Sequence, residues 1–144
     1  MLWLWVALPT LFVAFWWGTC HLMAETGGWA QAARRYSATT ATEATAFRWW
    51  QWVRVGTTTY SPLKVEATPT HFCLSPMPLF KPGHPGLRIP WVDIQAQAAT
   101  ECGRRIATLR LSKVPTVPIQ IPWSLALDLV TASGGAFRGL NTSE

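Results

Sequence analysis

Three histidines, three cysteines and seven acidic side chains are the raw material for chemistry in this 144-residue chain, and their spacing brings few of them together. His84, between Gly83 and Pro85, is the imidazole in the most loop-forming context, and imidazole titrates near neutral pH and ligates metals. Neither His21 nor His71 falls at a ligand spacing from it, and no Ser or Cys pairs with it in sequence, so it is expected to pack within its loop. Asp93 needs a second positioned group to act as acid or base; an Arg or a turn amide is its expected partner. Cys20, Cys73 and Cys102 form no C-x-x-C pair and no Cys/His cluster, and Cys73 and Cys102 are expected as small, reduced core residues. Paired carboxylates, a nucleophile motif and a glycine-rich phosphate loop are missing as well, so no enzyme activity, catalytic residue, bound metal or cofactor of its own is expected.

The residue type in excess is tryptophan, with ten in the chain, four of them within residues 2–24. That stretch contains no Asp, Glu, Lys or Arg, and at about 1.5 Å per residue it is long enough to cross roughly 30 Å of hydrocarbon as a helix. Pro9 removes one donor and predicts a bend rather than a break. A cleaved signal is not expected, because no basic residue precedes the apolar core and the bulky Trp16 and Trp17 stand where small residues are wanted. Trp3 and Trp5 at one end, and Trp16 and Trp17 at the other, fit interfacial belts; their indoles also suit contacts with neighbouring subunits or with pigments and lipids those subunits hold. Arg34 and Arg35 follow the span closely, so the tail is expected on the cytoplasmic side of a bacterial inner membrane, with the N-terminus periplasmic.

The elements after the span must position whatever the tail presents. Residues 25–46 read as three pieces: a helix stop or hinge at Glu25 to Gly28, a short amphipathic helix WAQAARRY, and a low-complexity linker from Ser37. In the helix Trp29, Ala32, Ala33 and Tyr36 share one face, which must lean on lipid, on the domain or on a partner. Residues 47–135 then read as one antiparallel β domain with a C-terminal helix. Its first strand, FRWWQWVRV, places Phe47, Trp49, Val53 and Val55 on one face, interrupted by Gln51. Strands follow at LKVEAT, THFCLS, Leu87 to Trp91, Arg105 to Leu111 and Thr116 to Ile121, and a helix after Pro122 uses Leu125, Leu129 and Ala132. Residues 136–144 read as a mostly polar tail.

The stretch FKPGHPGLRIPWVDI, preceded by GWAQAARRY and a strand meander, resembles a set of uncharacterised bacterial single-span membrane proteins carrying an FRPGHPPLxIPW-like segment. The soluble part is similar to pleckstrin-homology-like and GRAM-like domains. That resemblance implies an α+β fold, an open antiparallel barrel of about seven strands closed by a C-terminal helix, and it implies no activity.

Net charge of +5 lies wholly after the span, which suits proximity to anionic lipid; no motif points to nucleic acid. The expected role is therefore an accessory or assembly subunit of a membrane complex, with integral membrane subunits and lipid as partners. A photosynthetic reaction centre with its light-harvesting ring is the specific case suggested by analogy with its small single-span subunits. A membrane-tethered lipid- or protein-sensing module is the alternative. The docking residues expected are Trp3, Trp5, Trp16, Trp17, Trp29, Arg34 and Arg35.

Overall fold

The computed structural model describes residues 1–37, 46–134 and 137, and for residues 46–51, 61 and 62 the backbone alone. Most of the expected linker and tail lie outside the described residues. Helix α1 (Leu2–Gly27) runs 26 residues without interruption through Pro9 and is long and apolar enough to cross a membrane. Its hydroxyls turn inward: Thr10, Thr19 and Thr26 each donate to the carbonyl four residues back, so none needs water. Gly28, at φ 103°, ends α1 and starts helix α2 (Trp29–Tyr36).

The glycine pair at this corner is a packed stop. A Cβ on Gly27 would lie 2.1 Å from Thr58 Oγ1, and a Cβ on Gly56 would lie 2.0 Å from the Gly27 carbonyl oxygen. The Gly27 carbonyl accepts from the Thr57 amide at 3.0 Å, tying the helix end to the first hairpin. The apolar face of α2 is the one read from sequence, with Trp29, Ala32, Ala33 and Tyr36 buried, and what it leans on is the domain core.

Seven antiparallel strands follow: β1 (Ala46–Val55), β2 (Thr58–Ala67), β3 (His71–Pro76), β4 (Leu87–Pro90), β5 (Ile94–Glu101), β6 (Arg104–Leu111) and β7 (Ile119–Pro122). Their order is β4-β3-β2-β1-β7-β6-β5. The meander thus returns so that its last strand meets its first, through the pairs Arg54↔Gln120 and Val55↔Ile119. This narrow seam joins two small wings, β1 to β4 and β5 to β7. Among the described residues β4 and β5 do not pair, so no closed barrel forms. Register on β1 shifts on both sides of Gln51, the residue that interrupts the apolar alternation in the sequence, and the alternation resumes with Val53 and Val55 buried.

Helix α3 (Trp123–Ala132) packs on β6 and β7, burying Leu125, Ala126 and Leu129, with Ala132 partly covered. The fold is α+β: a long apolar helix, two small antiparallel wings and a C-terminal helix. One strand has no counterpart in the sequence pattern, and two expectations are corrected. Strand β5, IQAQAATE, has Ile94 as its only large apolar residue and is held by eight register pairs with β6. Cys102 is exposed at the tip of the β5–β6 hairpin with φ 51°, because a two-residue Cys-Gly turn demands positive φ at both positions. Phe137, in the expected loose tail, is buried; its ring lies 5.2 Å from Trp91 and its amide donates to Ser133 Oγ.

Candidate functional site

The chemistry-bearing residues converge where α1, α2 and the loop between β3 and β4 meet. This loop, residues 77–86, contains a 3-10 turn at Pro78–Phe80 and is short of amide donors, since Pro78, Pro82 and Pro85 have none. Its carbonyls are rich in ring donors instead. Trp16 Nε1 of α1 donates to the Leu79 carbonyl at 2.9 Å, and Trp29 Nε1 of α2 donates to the Pro85 carbonyl at 2.9 Å. Within the loop, His84 Nδ1 lies 3.0 Å from the Pro82 carbonyl.

That last contact fixes the tautomer. A carbonyl only accepts, so Nδ1 carries the proton, and Nε2 accepts from the Tyr60 hydroxyl at 2.9 Å. Burial pushes the His84 pKa below 6.5, outweighing the carbonyls of Pro82 and Phe80 that favour protonation. Burial likewise pushes Tyr60 up to about 12, which keeps its hydroxyl a donor. The rings of Trp29, Tyr60 and His84 meet edge to face at 4.9 to 5.4 Å. Gly83 presses on α1 so closely that a Cβ there would lie 2.9 Å from His21 Nδ1.

A second tie crosses to the other wing. The Tyr36 hydroxyl donates to Asp93 Oδ2 at 3.2 Å and accepts from the Lys113 amide at 3.1 Å. Asp93 is thus partnered by a tyrosine hydroxyl, where an Arg or a turn amide was expected.

The expected docking residues separate into three groups. Trp3, Trp5 and Trp17 are 72%, 80% and 56% exposed on α1. Trp16 bonds the loop, and its ring lies 5.5 Å from that of Phe80. Arg35 is exposed, and Arg34 pairs with Glu25 at 3.1 Å across the corner. Trp29 requires correction: it is wholly buried, because Gly28 turns α2 under the sheet, and it presents no surface to lipid or to a partner. Sequence reasoning missed Tyr60 and His21 as members of this junction. A signal was present in the series Trp16, Cys20, Ala24 and Gly27, a mostly small-residue seam on one face of α1 that lets backbone approach closely; Cys20, Ala24 and Gly27 are buried.

Chemically the arrangement is a clamp. Both indole N–H groups and both His84 ring nitrogens at the loop are spent on partners, and among the described residues no three His, Cys, Asp or Glu side chains gather as a metal set. No protein-family model, curated protein or solved structure matches the chain.

Proposed function

We propose that this chain is a non-catalytic accessory or assembly subunit of a bacterial membrane protein complex, attached through α1 as a single span. The observation that carries this reading is the clamp itself. A mere anchor needs only an apolar helix and a slack connection, whereas here one face of residues 16–27, with Cys20, Ala24 and Gly27, is packed into the domain and the indole of Trp16 is bonded to the loop. Fixing the domain against the span presents both surfaces to a neighbour in one register, which lowers the ordering cost of docking. The same packing argues against removal of α1 as a signal, since cleavage would strip Cys20 and Ala24 from the domain. Arg34 and Arg35 beyond the span favour a cytoplasmic domain.

The test is gentle solubilisation from the native membrane followed by native electrophoresis and identification of co-migrating subunits. Co-migration with integral membrane proteins is expected, and pigment in the band would point to the photosynthetic case. Migration of the chain alone would overturn the proposal.

A second reading, a lipid-sensing module of pleckstrin-homology-like fold, draws on the strand order, with the first strand pairing the last and a helix after the seventh. It is weakened by the state of the cations. Arg54 pairs with Glu101, Lys64 with Glu66, Arg105 lies over Trp123, and Lys113 lies over Tyr36, so the positive charge is dispersed. Equal binding of the full chain's domain face to neutral and anionic nanodiscs would remove this reading and leave assembly intact.

A further inference from the structure

We propose that the β3–β4 loop is a second membrane element, its 3-10 turn seated in the lipid beside α1; this rests on the reading of α1 as a span. Length sets the problem. From Leu2 to Trp16, where the loop first touches the helix, α1 rises about 21 Å, roughly 9 Å less than the hydrocarbon thickness of a bilayer. The missing distance brings the bilayer edge to about Leu22, which is exposed, and therefore past the level at which the loop lies. Phe80 packs on Trp16 and Gly83 on His21, so the loop runs along this last part of the span with its 3-10 turn toward the membrane side.

Composition and bonding of the loop suit that depth. Residues 76–80 read PMPLF, with no polar side chain. Leu79 is 64% exposed, Pro78 is exposed, and Met77 and Phe80 are half-buried. Non-helical backbone is tolerated in a membrane where its polar groups are satisfied within the protein. The Phe80 and Lys81 amides donate to the Met77 and Pro78 carbonyls, Pro78 has no amide hydrogen to satisfy, and the Leu79 carbonyl takes the Trp16 indole. Lys81 is exposed at the end of the turn, where a four-carbon stem carries its ammonium to the headgroups. An exposed leucine at the tip of a turn whose Met77, Pro78 and Leu79 carbonyls are all taken fits acyl chains better than water.

The experiment uses the full chain with Cys102→Ser and Leu79→Cys, labelled at position 79 with an environment-sensitive fluorophore in phosphatidylcholine vesicles. Cys20 and Cys73 are buried and stay unlabelled. Lipids carrying nitroxides at shallow or deep acyl positions report depth. A Leu8→Cys variant serves as the span reference, and the natural Cys102 label serves as the aqueous one. The expected result is blue-shifted emission at position 79 with acyl-nitroxide quenching comparable to that at position 8, since Trp16, which holds the loop, and Leu8 each stand six residues, about 9 Å, inside their edge of the span. Emission at position 79 matching that at Cys102, with position 8 still quenched, overturns the loop proposal and leaves the span. Loss of quenching at position 8 overturns the span and the loop proposal with it. A label at 79 that is aqueous in vesicles yet shielded in native membranes assigns the turn to a protein neighbour and overturns the lipid assignment.

Discussion

Residues 2–15 and residues 16–27 of α1 belong to one helix and meet different fates. The first stretch is exposed nearly all round, with Trp3, Trp5, Leu8, Leu11, Phe12 and Phe15 uncovered. The second buries Cys20, Ala24 and Gly27 against the domain and offers Trp16 to the loop. Apolar composition does not separate them; residue size does. Where small residues recur on one face the helix accepts backbone, and where Leu, Phe and Trp surround it the helix holds its neighbours at side-chain distance.

The largest effect that tests this contrast comes from the packed side. Trp29→Ala deletes a wholly buried indole and leaves the Pro85 carbonyl without its donor, so the full chain in detergent should lose about 3–5 kcal/mol of stability to thermal or denaturant unfolding. A loss no larger than that of an exposed site would break the claim that α2 is part of the core. Gly56→Ala should act next, at about 1–3 kcal/mol, because the added methyl meets the Gly27 carbonyl at a position with φ 62°. Its signature is loosening at the corner, read as greater protease access between α1 and α2.

Much of the fold is legible because alternation and punctuation are local. Val53 and Val55, Leu63 and Val65, and the face of α2 stand where periodicity of two or 3.6 places them. The bulge at Gln51 is written as a break in that alternation. β5 is not, because alanine and glutamine carry no strand signal and its place depends on pairing with β6. The exposure of Cys102 is hidden for a related reason: its turn geometry, not its polarity, decides it. The junction was half legible. The Pro/Gly-rich loop announces itself, but its partners lie 24 to 63 residues away in sequence at Tyr60, Trp29 and Trp16, and no local pattern reports that closure.

Acidity probes the same junction more gently. The pKa of His84 in the folded chain lies below the ordinary 6.5, so between that lowered value and 6.5 the unfolded chain binds the more protons. Stability from this residue is complete above pH 6.5 and declines as pH falls through the window. Protonating Nε2 also removes the acceptor of the Tyr60 hydroxyl. Unfolding midpoints measured from pH 7.5 down to 5 should fall, and His84→Gln, less stable at neutral pH, should flatten the decline; an equally steep profile in that variant would place the sensitive group elsewhere.

The exposed side of the comparison supplies the smallest expected change in stability and the most informative one about role. Trp5 is 80% exposed on α1, so Trp5→Leu should alter stability of the isolated chain by no more than about 0.5 kcal/mol. Leucine keeps the helix apolar and able to insert. What it removes is a large flat ring with a single donor, the features by which an indole holds a headgroup boundary or a neighbouring subunit. If α1 is a docking surface, the variant should insert normally yet be retained less well with its membrane partners during gentle solubilisation. Unchanged retention for Trp5→Leu, and for Trp3→Leu beside it, would reduce residues 2–15 to an anchor and leave docking to the domain alone.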